Sequence, residues 1–548
     1  MTVKQQFLPT SRSEMKALGF NQLDIILISG DAYIDHPSFG TAIVGRVLQA
    51  AGYRVGIIPQ PDWTQDEDFL ALGTPRLFFG ISAGNMDSLV NHYTAQRKRR
   101  NNDAYSPNGE IGHRPDRASL IYCNIIKRLF KGKPIVLGGI EASLRRIAHY
   151  DFWQDKIRNS ILSDSKADIL VYGMAEKAIV DIAKALDKGK DIKELQDIPG
   201  TVCYAQEAPE EALYLPPSED CKDKTTFYQM NKVFFSEHQS RTLYQMNGGR
   251  LLKHNPPAAE LSPKELDAIY ALPFQYAPHP RYQGQRIPAF EQIRNSITSH
   301  RGCYGGCHFC AIYAHQGRKI QSRNFASIIR EARGIRKTIS DLGGPTANMY
   351  GSYCKLGWAN SCKRQSCLFP TICPNLVMDH ASQLKLLAEL EKLPNIQHIF
   401  IASGIRHDMA LGHEGYISAL ASKYTGGRLK LAPEHSSDKV LRLMGKPSIK
   451  CYEDFSKEYF KAVKKAGLKR QIVPYIIIGH PGTTLQDAKD LQSWLKTNKI
   501  EVEQVQEFTP TPMTISSCMY FTGLDFETGK PIHIPSPGEV RRQKLLIM

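Results

Sequence analysis

The chain has 548 residues, 42% of them hydrophobic and 23% charged, and its net charge is +16. This length predicts roughly two to three domains, each with its own core, and the composition excludes a disordered or fibrous protein. No run approaches the roughly 18 apolar residues that span a membrane, and the first residues lack the apolar core of a signal peptide. We therefore expect a cytoplasmic protein without membrane contact.

Residues 1–200 alternate short apolar runs with amphipathic segments. A strand over 23–30, a helix over 41–51 and a strand over 54–59 form a βαβ unit, which is typical of a parallel sheet. Further strands are predicted over 76–82, 134–139 and 168–173. Most of these runs end on Gly or Ser, where a doubly wound sheet places its ligand crevice, so this half is predicted to be a Rossmann-type domain.

Residues 201–289 lack this pattern. Pro, Glu and Lys become frequent there, and only residues 227–242 and 262–272 are predicted to be helical. We interpret this stretch as a connector between two domains.

Residues 290–525 return to a regular alternation, which begins with an apolar stripe at helical spacing over 325–339. The predicted strands are 397–404, 428–433, 472–479 and 502–508, and the predicted helices are 380–393, 415–424, 453–466 and 485–496. About six βα repeats fit this segment, which predicts an open barrel with its functional residues at the carboxyl ends of the strands.

Cysteine is concentrated in this second half. In an intracellular chain, twelve cysteines indicate metal ligands or buried thiols rather than disulfides. Seven of them fall between Cys303 and Cys373, where eleven Lys and Arg residues accompany two Asp and Glu residues. This basic stretch suits an anionic substrate such as RNA, and it equally suits charge balance at a metal centre or solvated helix faces.

Three of these cysteines form a compact motif. Cys303, Cys307 and Cys310 are spaced C-x3-C-x2-C, with an aromatic residue directly before the third. Thiolates this close together on a glycine-bent loop converge on a single metal centre. A cubic [4Fe–4S] cluster held by three thiolates keeps one iron open, whereas zinc would need a further ligand such as His300 or His308.

This motif is similar to the signature of radical S-adenosylmethionine (SAM) proteins. Its surroundings over residues 299–311 resemble the uncharacterised YgiQ-type branch of that superfamily. The resemblance implies a partial (β/α)6 barrel, a [4Fe–4S] cluster on the three cysteines, and SAM chelated to the fourth iron. It also implies an electron donor such as flavodoxin or ferredoxin, and reductive cleavage of SAM to methionine and a 5′-deoxyadenosyl radical.

The same resemblance assigns cofactor contacts at the strand ends. Gly343 and Gly344 match the segment where the methionyl amine of SAM docks, and Glu434 matches a polar contact to ribose or carboxylate. Gly479 and Gly482 match the segment that meets adenine. Gly and Pro terminate strands in any protein, so ordinary turn chemistry stays open as the other interpretation.

Residues 1–200 resemble the cobalamin-binding Rossmann domain that precedes the barrel in one large class of radical SAM enzymes. The resemblance rests on the strand order, Gly40, Ser82 and residues 138–139. It departs from the cobalamin signature D-x-H-x-x-G, because Asp35 and His36 are adjacent and His36 stands four residues before Gly40. We favour a sheet that lost cobalamin or never bound it, with cobalamin binding as the alternative.

A second cysteine group lies in an insertion over residues 350–375. It comprises Cys354, Cys362, Cys367 and Cys373. Four thiolates suffice for structural zinc or for an auxiliary iron–sulfur cluster, although the C-x2-C pairs of zinc ribbons are absent. Reduced buried thiols are the alternative, and the basic residues of the insertion make it a candidate substrate-facing flap.

The last segment, residues 526–548, ends inside a predicted helix, which indicates a truncated or short form of a YgiQ-type protein. We predict a radical SAM enzyme of unknown substrate, with RNA or another macromolecule as the first guess by analogy with methylthiotransferases and wobble-uridine modifiers. The alternatives are a cobalamin-dependent radical SAM methyltransferase acting on a small molecule and a non-catalytic RNA-binding metalloprotein.

Overall fold

The computed structural model describes residues 6–358, 362–378 and 380–548, which divide into two compact units. The first unit comprises residues up to Ala259, with 268–294 and 511–513. The second comprises residues 260–267, 295–510 and 514–548. Within the described part of the chain, no helix is long and apolar enough to cross a bilayer.

The first half of the chain is built on a nine-stranded sheet. The strands of this half are β1 (Ile25–Ser29), β2 (Ile34–Asp35), β3 (Val55–Pro59), β4 (Phe78–Ser82), β5 (Ile135–Gly138), β6 (His149–Asp151), β7 (Lys156–Arg158), β8 (Ile169–Val171), β9 (Thr201–Ala205), β10 (Leu213–Leu215), β11 (Leu243–Asn247), β12 (Arg250–His254) and β13 (Ala277–Pro278). The helices are α1 (Arg12–Ala17), α2 (Gly40–Ala50), α3 (Glu67–Leu70), α4 (Ser88–His92), α5 (Ala118–Leu129), α6 (Gly139–Leu144), α7 (Ile161–Ser165), α8 (Glu176–Asp187), α9 (Lys224–Glu237), α10 (Pro263–Tyr270) and α11 (Pro288–Ile293).

The sheet has the order β10-β11-β12-β9-β8-β5-β4-β1-β3. Its five strands β3, β1, β4, β5 and β8 are mutually parallel, and all five were predicted from sequence. Their apolar runs are buried on both faces, as parallel strands require. The predicted Rossmann-type fold of this half is therefore confirmed.

The interpretation of residues 201–289 as a connector is wrong. This stretch supplies β9, β12, β11 and β10, which extend the same sheet beyond β8 by mainly antiparallel pairing. The outer strands expose one face, with Arg250 and Met246 exposed between buried neighbours. Because such strands mix polar and apolar residues, they lack the continuous apolar runs that identified the central strands.

The second half contains a set of parallel strands in chain order. Its strands are β14 (Ser296–Thr298), β15 (His300–Arg301), β16 (Gln321–Ser322), β17 (Lys337–Ile339), β18 (Asp341–Gly343), β19 (Tyr353–Cys354), β20 (Leu376–Val377), β21 (Ile396–Ile399), β22 (Arg428–Glu434), β23 (Gln471–Ile478) and β24 (Val505–Glu507). Its helices are α12 (Ile312–Gln316), α13 (Phe325–Ala332), α14 (His380–Glu391), α15 (His407–Ala410), α16 (Glu414–Ala419), α17 (Asp438–Leu443), α18 (Ile449–Lys465), α19 (Leu485–Thr497), α20 (Ile515–Thr522) and α21 (Pro537–Ile547), and α16 continues as a π-helical turn over Leu420–Tyr424.

These strands pair as a partial barrel. β14 pairs with β18, β17 pairs with β21, and β22, β23 and β24 pair successively, all in parallel. A parallel bridge between Ile405 and Leu431 joins the β21 segment to β22. Since helices separate successive strands, the arrangement is the partial (β/α)6 barrel predicted from sequence, and its carboxyl strand ends carry the candidate site.

The C-terminal segment packs onto the last strands of the barrel. The side chain of Gln543 on α21 accepts a hydrogen bond from the Gly479 backbone N–H at 2.9 Å. Lys544 forms an ion pair with Glu507 at 2.8 Å. Residues 526–548 therefore belong to the core of the second unit.

Candidate active site

The three clustered cysteines lie on a tight loop that follows β15. Gly302 and Gly306 adopt left-handed backbone conformations, with φ of 88° and 61°. A Cβ atom at Gly302 would overlap the Lys319 carbonyl, and one at Gly306 would lie 2.6 Å from the Gln365 carbonyl oxygen. Both positions therefore require glycine, which allows the chain to bend tightly enough to bring the thiols together.

The sulfur atoms surround a common point. A Cβ atom at Gly305 would lie 3.4 Å from Cys303 Sγ and 3.9 Å from Cys307 Sγ. The Cys310 backbone N–H donates to the Cys307 carbonyl at 3.1 Å. Burial and the neighbouring thiols raise the pKa of Cys303 and Cys310. Thiols held together in a buried place become thiolates when a metal centre supplies positive charge, so this donor set fits an iron–sulfur cluster.

The zinc alternative receives no support from the neighbouring histidines. His308 is buried and its Nδ1 hydrogen-bonds the Leu443 carbonyl at 2.9 Å, while His300 Nδ1 contacts Ser299 Oγ at 2.9 Å. Among the described residues, no three His, Cys, Asp or Glu side chains converge closely enough to hold one metal ion. A cubane cluster does not need such convergence, because its thiolates bind separate irons.

An arginine that the sequence analysis missed contacts this thiol group. Arg406 Nη1 donates to Cys307 Sγ at 3.2 Å, and the guanidinium is held by Asp408 through two hydrogen bonds of 2.8 and 2.6 Å. The Arg406 backbone N–H also donates to Asn348 Oδ1 at 2.9 Å. The cation is therefore fixed beside the loop. Its position shortly after β21, at a carboxyl strand end of a barrel, was the available signal.

The predicted amine-docking glycines are packed against the protein itself. A Cβ atom at Gly343 would overlap Ser403 Oγ, and one at Gly344 would lie 2.6 Å from His300 Cε1. Asp341 accepts the backbone N–H groups of Ala402 and Ser403 at 2.7 and 3.0 Å. Close approach at the end of β18 therefore explains both glycines, and their contact with SAM stays a prediction.

Glu434 combines three unusual properties at the end of β22. Its φ is +70°, its exposure is 6%, and a register irregularity precedes it between Leu431 and Glu434. Lys446 Nζ lies 3.7 Å from Glu434 Oε1. Burial raises the pKa of Glu434, opposed by the charges of Lys446 and Arg406, and its own charge raises the pKa of Cys310. A strained, buried carboxylate next to a candidate metal centre is typical of a functional position.

The predicted adenine segment follows β23. Gly479 and Gly482 have φ values of 72° and 87°. A Cβ atom at Gly479 would lie 2.8 Å from Val540 Cγ2, and one at Gly482 would overlap the Leu443 side chain. Between them His480 is fully buried, with Nε2 2.6 Å from Ser516 Oγ. Turn geometry explains these glycines, and an adenine contact stays a prediction.

The cysteine-rich insertion packs directly on the three-cysteine loop. Ser366 Oγ donates to the Gly305 carbonyl at 2.6 Å, and the Cys367 backbone N–H donates to the Tyr304 carbonyl at 3.1 Å. The indole ring of Trp358 stacks on Tyr304 with centroids 5.8 Å apart. The insertion therefore forms one wall of the loop that carries the three thiols.

The backbone of the insertion brings its cysteines near one another. The Cys373 N–H donates to the Cys367 carbonyl at 2.8 Å, and Cys354 pairs with Leu376 in the β19–β20 hairpin. Burial raises the pKa of Cys367 to about 11, with contributions from the three other insertion thiols. Cys362 directly follows residues 359–361, which lie outside the described residues.

Two family models match the chain. "Radical SAM N-terminal" matches residues 7–296, and "Radical SAM superfamily" matches residues 297–495. Together with the fold, these matches define a radical SAM enzyme, whose cofactors are a [4Fe–4S] cluster and SAM.

Full-length relatives give the family. A "UPF0313 protein" of Methanocella arvoryzae is 47% identical over 545 residues, covering 97% of this chain and 91% of that protein. "UPF0313 protein GSU2873" of Geobacter sulfurreducens is 45% identical, covering 99% of this chain and 92% of that protein. The chain belongs to the UPF0313 family of radical SAM proteins, which confirms the predicted YgiQ-type resemblance.

Among solved structures, the radical SAM methyltransferase TsrM of Kitasatospora setae has the same fold. Its complex with tryptophan substrate and a SAM analog matches with a TM-score of 0.52 at 14% identity, covering 96% of this chain and 89% of that one. The form with cobalamin and a [4Fe–4S] cluster bound also gives 0.52. At this identity the likeness concerns the fold alone.

Proposed function

We propose that Cys303, Cys307 and Cys310 hold the [4Fe–4S] cluster of this enzyme, and that Arg406 and Glu434 line the place where SAM binds. The observation that carries the proposal is the buried convergence of the three thiols around Gly305, with a fixed guanidinium against Cys307. When bound, the cluster supplies the electron that cleaves SAM to methionine and a 5′-deoxyadenosyl radical.

The surrounding residues prepare this place in defined ways. Arg406 offsets negative charge at Cys307, and Asp408 fixes its orientation. Tyr304 is fully buried beside Cys303, with its hydroxyl 3.0 Å from Ser352 Oγ, so it excludes water from the rear of the loop. Glu434 offers a buried carboxylate that accepts hydrogen bonds from an amine or hydroxyl of SAM.

The test is anaerobic formation of 5′-deoxyadenosine after reconstitution with iron and sulfide, reduction and addition of SAM. We expect product from the wild type and none from the Cys303/Cys307/Cys310→Ala variant. The half-buried Cys451, which belongs to neither cysteine group, provides the matched control Cys451→Ala, and this variant keeps wild-type product formation. A wild type that carries the cluster spectrum but forms no product contradicts the proposal.

The substrate class that we propose is RNA, because the stretch with the three thiols and the insertion is strongly basic. Part of this charge is structural: Arg323 is buried against Glu331 at 2.6 Å, and Arg364 donates to the Ser366 carbonyl at 3.1 Å. Lys355 and Lys363 on the insertion are exposed and suit phosphate contacts.

This proposal predicts that total cellular RNA increases 5′-deoxyadenosine formation and that prior ribonuclease treatment removes the increase. The double variant Lys355→Ala/Lys363→Ala weakens RNA binding and flattens its salt dependence, whereas Lys457→Ala on α18, also exposed, changes neither. Equal product formation with and without RNA, across salt concentrations that permit binding, counts against RNA as substrate.

We also propose that the insertion holds a second metal centre through Cys354, Cys362, Cys367 and Cys373. The support is their grouping by backbone hydrogen bonds within one short segment. Replacing Cys354 and Cys373 by Ser then lowers the iron or zinc content measured by mass spectrometry, while the spectrum of the first cluster persists. An unchanged metal content in that variant leaves the insertion with ordinary thiols.

A further inference from the structure

The sheet of the first unit has a defined place where a ligand would bind. Within the parallel order β3-β1-β4-β5-β8, the chain leaves β1 toward β3 on one side and returns to β4 on the other. Open parallel sheets bind ligands outside the carboxyl ends of their strands at such a switch point. Here that place lies between the segments that follow Ser29 and Ser82.

A buried ion cluster occupies this place. Arg114 has a fully buried side chain, and its Nη1 donates to the Ala83 carbonyl at 2.7 Å. Its Nη2 lies 2.9 Å from Asp31 Oδ1 and 3.3 Å from Asp103 Oδ2. Asp31 Oδ2 also accepts the Asn85 backbone N–H at 2.7 Å. The charges at the switch point are therefore paired with one another rather than presented to a ligand.

The two strand ends also close on each other. The Gly30 N–H donates to the Ser82 carbonyl at 3.1 Å. A Cβ atom at Gly30 would overlap the Ala83 carbonyl, and one at Gly84 would overlap the Asp31 carboxylate. Backbone from one strand end thus fills the gap that a ligand would enter between β1 and β4.

A loop between α4 and α5 covers the remaining edge. The Ala32 N–H donates to the Tyr105 carbonyl at 3.0 Å, and Gln60, just after β3, donates to Ser106 Oγ at 2.7 Å. The space left beside β1 is a cavity of about 220 Å³, lined in part by Tyr33 and Phe39. Pockets for drug-sized ligands hold about 300–1,000 Å³, and a corrinoid with its nucleotide tail is larger than such ligands.

The residues that carried the cobalamin resemblance serve internal packing. Ser82 Oγ accepts the Gly84 N–H at 3.0 Å, and a Cβ atom at Gly139 would overlap Ser82 Oγ. The Gly40 N–H donates to Asn85 Oδ1 at 3.2 Å. These positions are small because the protein packs against them.

The only histidine of the departed signature is also internal. His36 is 1% exposed, its Nδ1 accepts the Ser38 N–H at 3.1 Å, and its ring meets Tyr276 edge to face at 5.2 Å. The adjacent Asp35 forms a buried ion pair with Arg46. Neither side chain is presented to a large ligand at the strand ends.

We infer that the Asp31–Arg114–Asp103 cluster closes the carboxyl edge of this sheet and that this radical SAM enzyme works without cobalamin. The residues present do not fit the corrinoid that is bound in TsrM, even though the fold is shared. The inference concerns binding in the first unit and holds whether or not the proposed thiol site and substrate are correct.

The first test is corrinoid content. The full chain is produced in a host that imports cobalamin, purified without oxygen, and titrated with hydroxocobalamin, with a known cobalamin-dependent radical SAM enzyme as positive control. We expect no corrinoid absorbance in the purified chain and no spectral change on titration. Co-purification of one equivalent, or a saturable spectral change, overturns the inference.

A second test asks whether the cluster is structural. Arg114→Met lowers the unfolding temperature and speeds amide exchange across residues 103–114, whereas Arg128→Met, at an exposed ion pair with Asp66, changes neither. An Arg114→Met protein with wild-type stability and exchange overturns the inference.

If the Arg114 variant does not fold, the wild type still decides. Its amides at residues 30–32 and 83–85 exchange slowly, and added hydroxocobalamin leaves them unchanged. Ligand-dependent protection there contradicts a closed edge. Formation of 5′-deoxyadenosine by protein from cobalamin-free medium is measured in parallel, because its failure would count against the proposed thiol site and not against closure.

Discussion

At the scale of single residues, the candidate site contains charges that the cysteine motif does not announce. Arg406 donates to Cys307 Sγ at 3.2 Å and is held by Asp408, and both side chains are buried. Hydrogen bonds and net charge around the sulfur atoms are among the factors that set the potential of an iron–sulfur cluster. Arg406 therefore belongs to the electronic environment of the proposed cluster.

Arg406→Gln tests this role. Loss of the cation makes addition of an electron less favourable, so we expect the midpoint potential to fall by roughly 60 mV, a tenfold change for a one-electron couple. The measurement is a redox titration followed by electron paramagnetic resonance. Arg442→Gln, which removes a half-exposed partner of Asp525, serves as the control and leaves the potential unchanged. Equal potentials in the wild type and both variants contradict the assignment.

Asp31 gives a prediction about pH. Burial raises its pKa to about 6, with Arg114 opposing and Asp103 adding to the increase. The folded state then holds a proton that the unfolded state releases above its ordinary pKa near 4. This group therefore favours the folded state below about pH 4, and that contribution is lost as the pH rises toward 6.

The variant Asp31→Asn lacks this dependence. From pH 4 to pH 6 the wild type should lose up to about 3 kcal/mol of stability relative to Asp31→Asn. Urea unfolding at both pH values measures the difference. Parallel changes in the two proteins would show that Asp31 does not titrate in this range.

At the scale of elements, the insertion and the three-cysteine loop depend on one glycine contact. A Cβ atom at Gly306 would lie 2.6 Å from the Gln365 carbonyl and 2.8 Å from Ser366 Cβ. The hydrogen bond from Ser366 to the Gly305 carbonyl lies at the same junction. The insertion therefore constrains the shape of the loop that carries the thiols.

Gly306→Ala is expected to separate the insertion from the loop. The matched control is Gly317→Ala, because Gly317 also has a left-handed φ, of 80°, but no atom within 4 Å of the added Cβ. Both variants carry the backbone strain, and only Gly306→Ala adds the collision. Iron per chain and cluster absorbance should fall in Gly306→Ala and remain near wild type in Gly317→Ala, and equal losses would assign the effect to strain alone.

At the scale of the whole molecule, the excess of 16 positive charges bears on the reductant that radical SAM enzymes generally need. Exposed basic side chains on the insertion, such as Lys355, lie on the segment that packs against the thiol loop. A donor protein with acidic surface charge would be attracted to this field over about 10 Å at moderate ionic strength.

We therefore expect reduction by flavodoxin or ferredoxin to slow as salt increases, and reduction by the small reagent dithionite to depend on salt much less. Stopped-flow absorbance of the cluster measures both rates. Lys355→Ala should lower the flavodoxin rate at low salt, with Lys457→Ala as the control. A flavodoxin rate that is independent of salt contradicts charge-guided association.

Much of this architecture follows from local sequence. Cys303, Cys307 and Cys310 lie within eight residues, so a chain bent at Gly302 and Gly306 has little freedom to keep their thiols apart. The central strands of the first sheet and the later strands of the barrel are short apolar runs between helices, and this periodicity is itself local. Domain class and the candidate cluster motif are therefore legible before any fold is known.

Contacts between distant residues were decided only by tertiary structure. Arg406 is 99 positions from Cys307, and four strands from residues 201–254 join the first sheet although their half-exposed pattern hid them. Likewise, nothing in the local sequence places Arg114 between Asp31 and Asp103, where it closes a strand edge that resembles a cofactor crevice. Spacing along the chain determines which thiols can meet, whereas packing determines which charges are buried beside them and which crevices stay open.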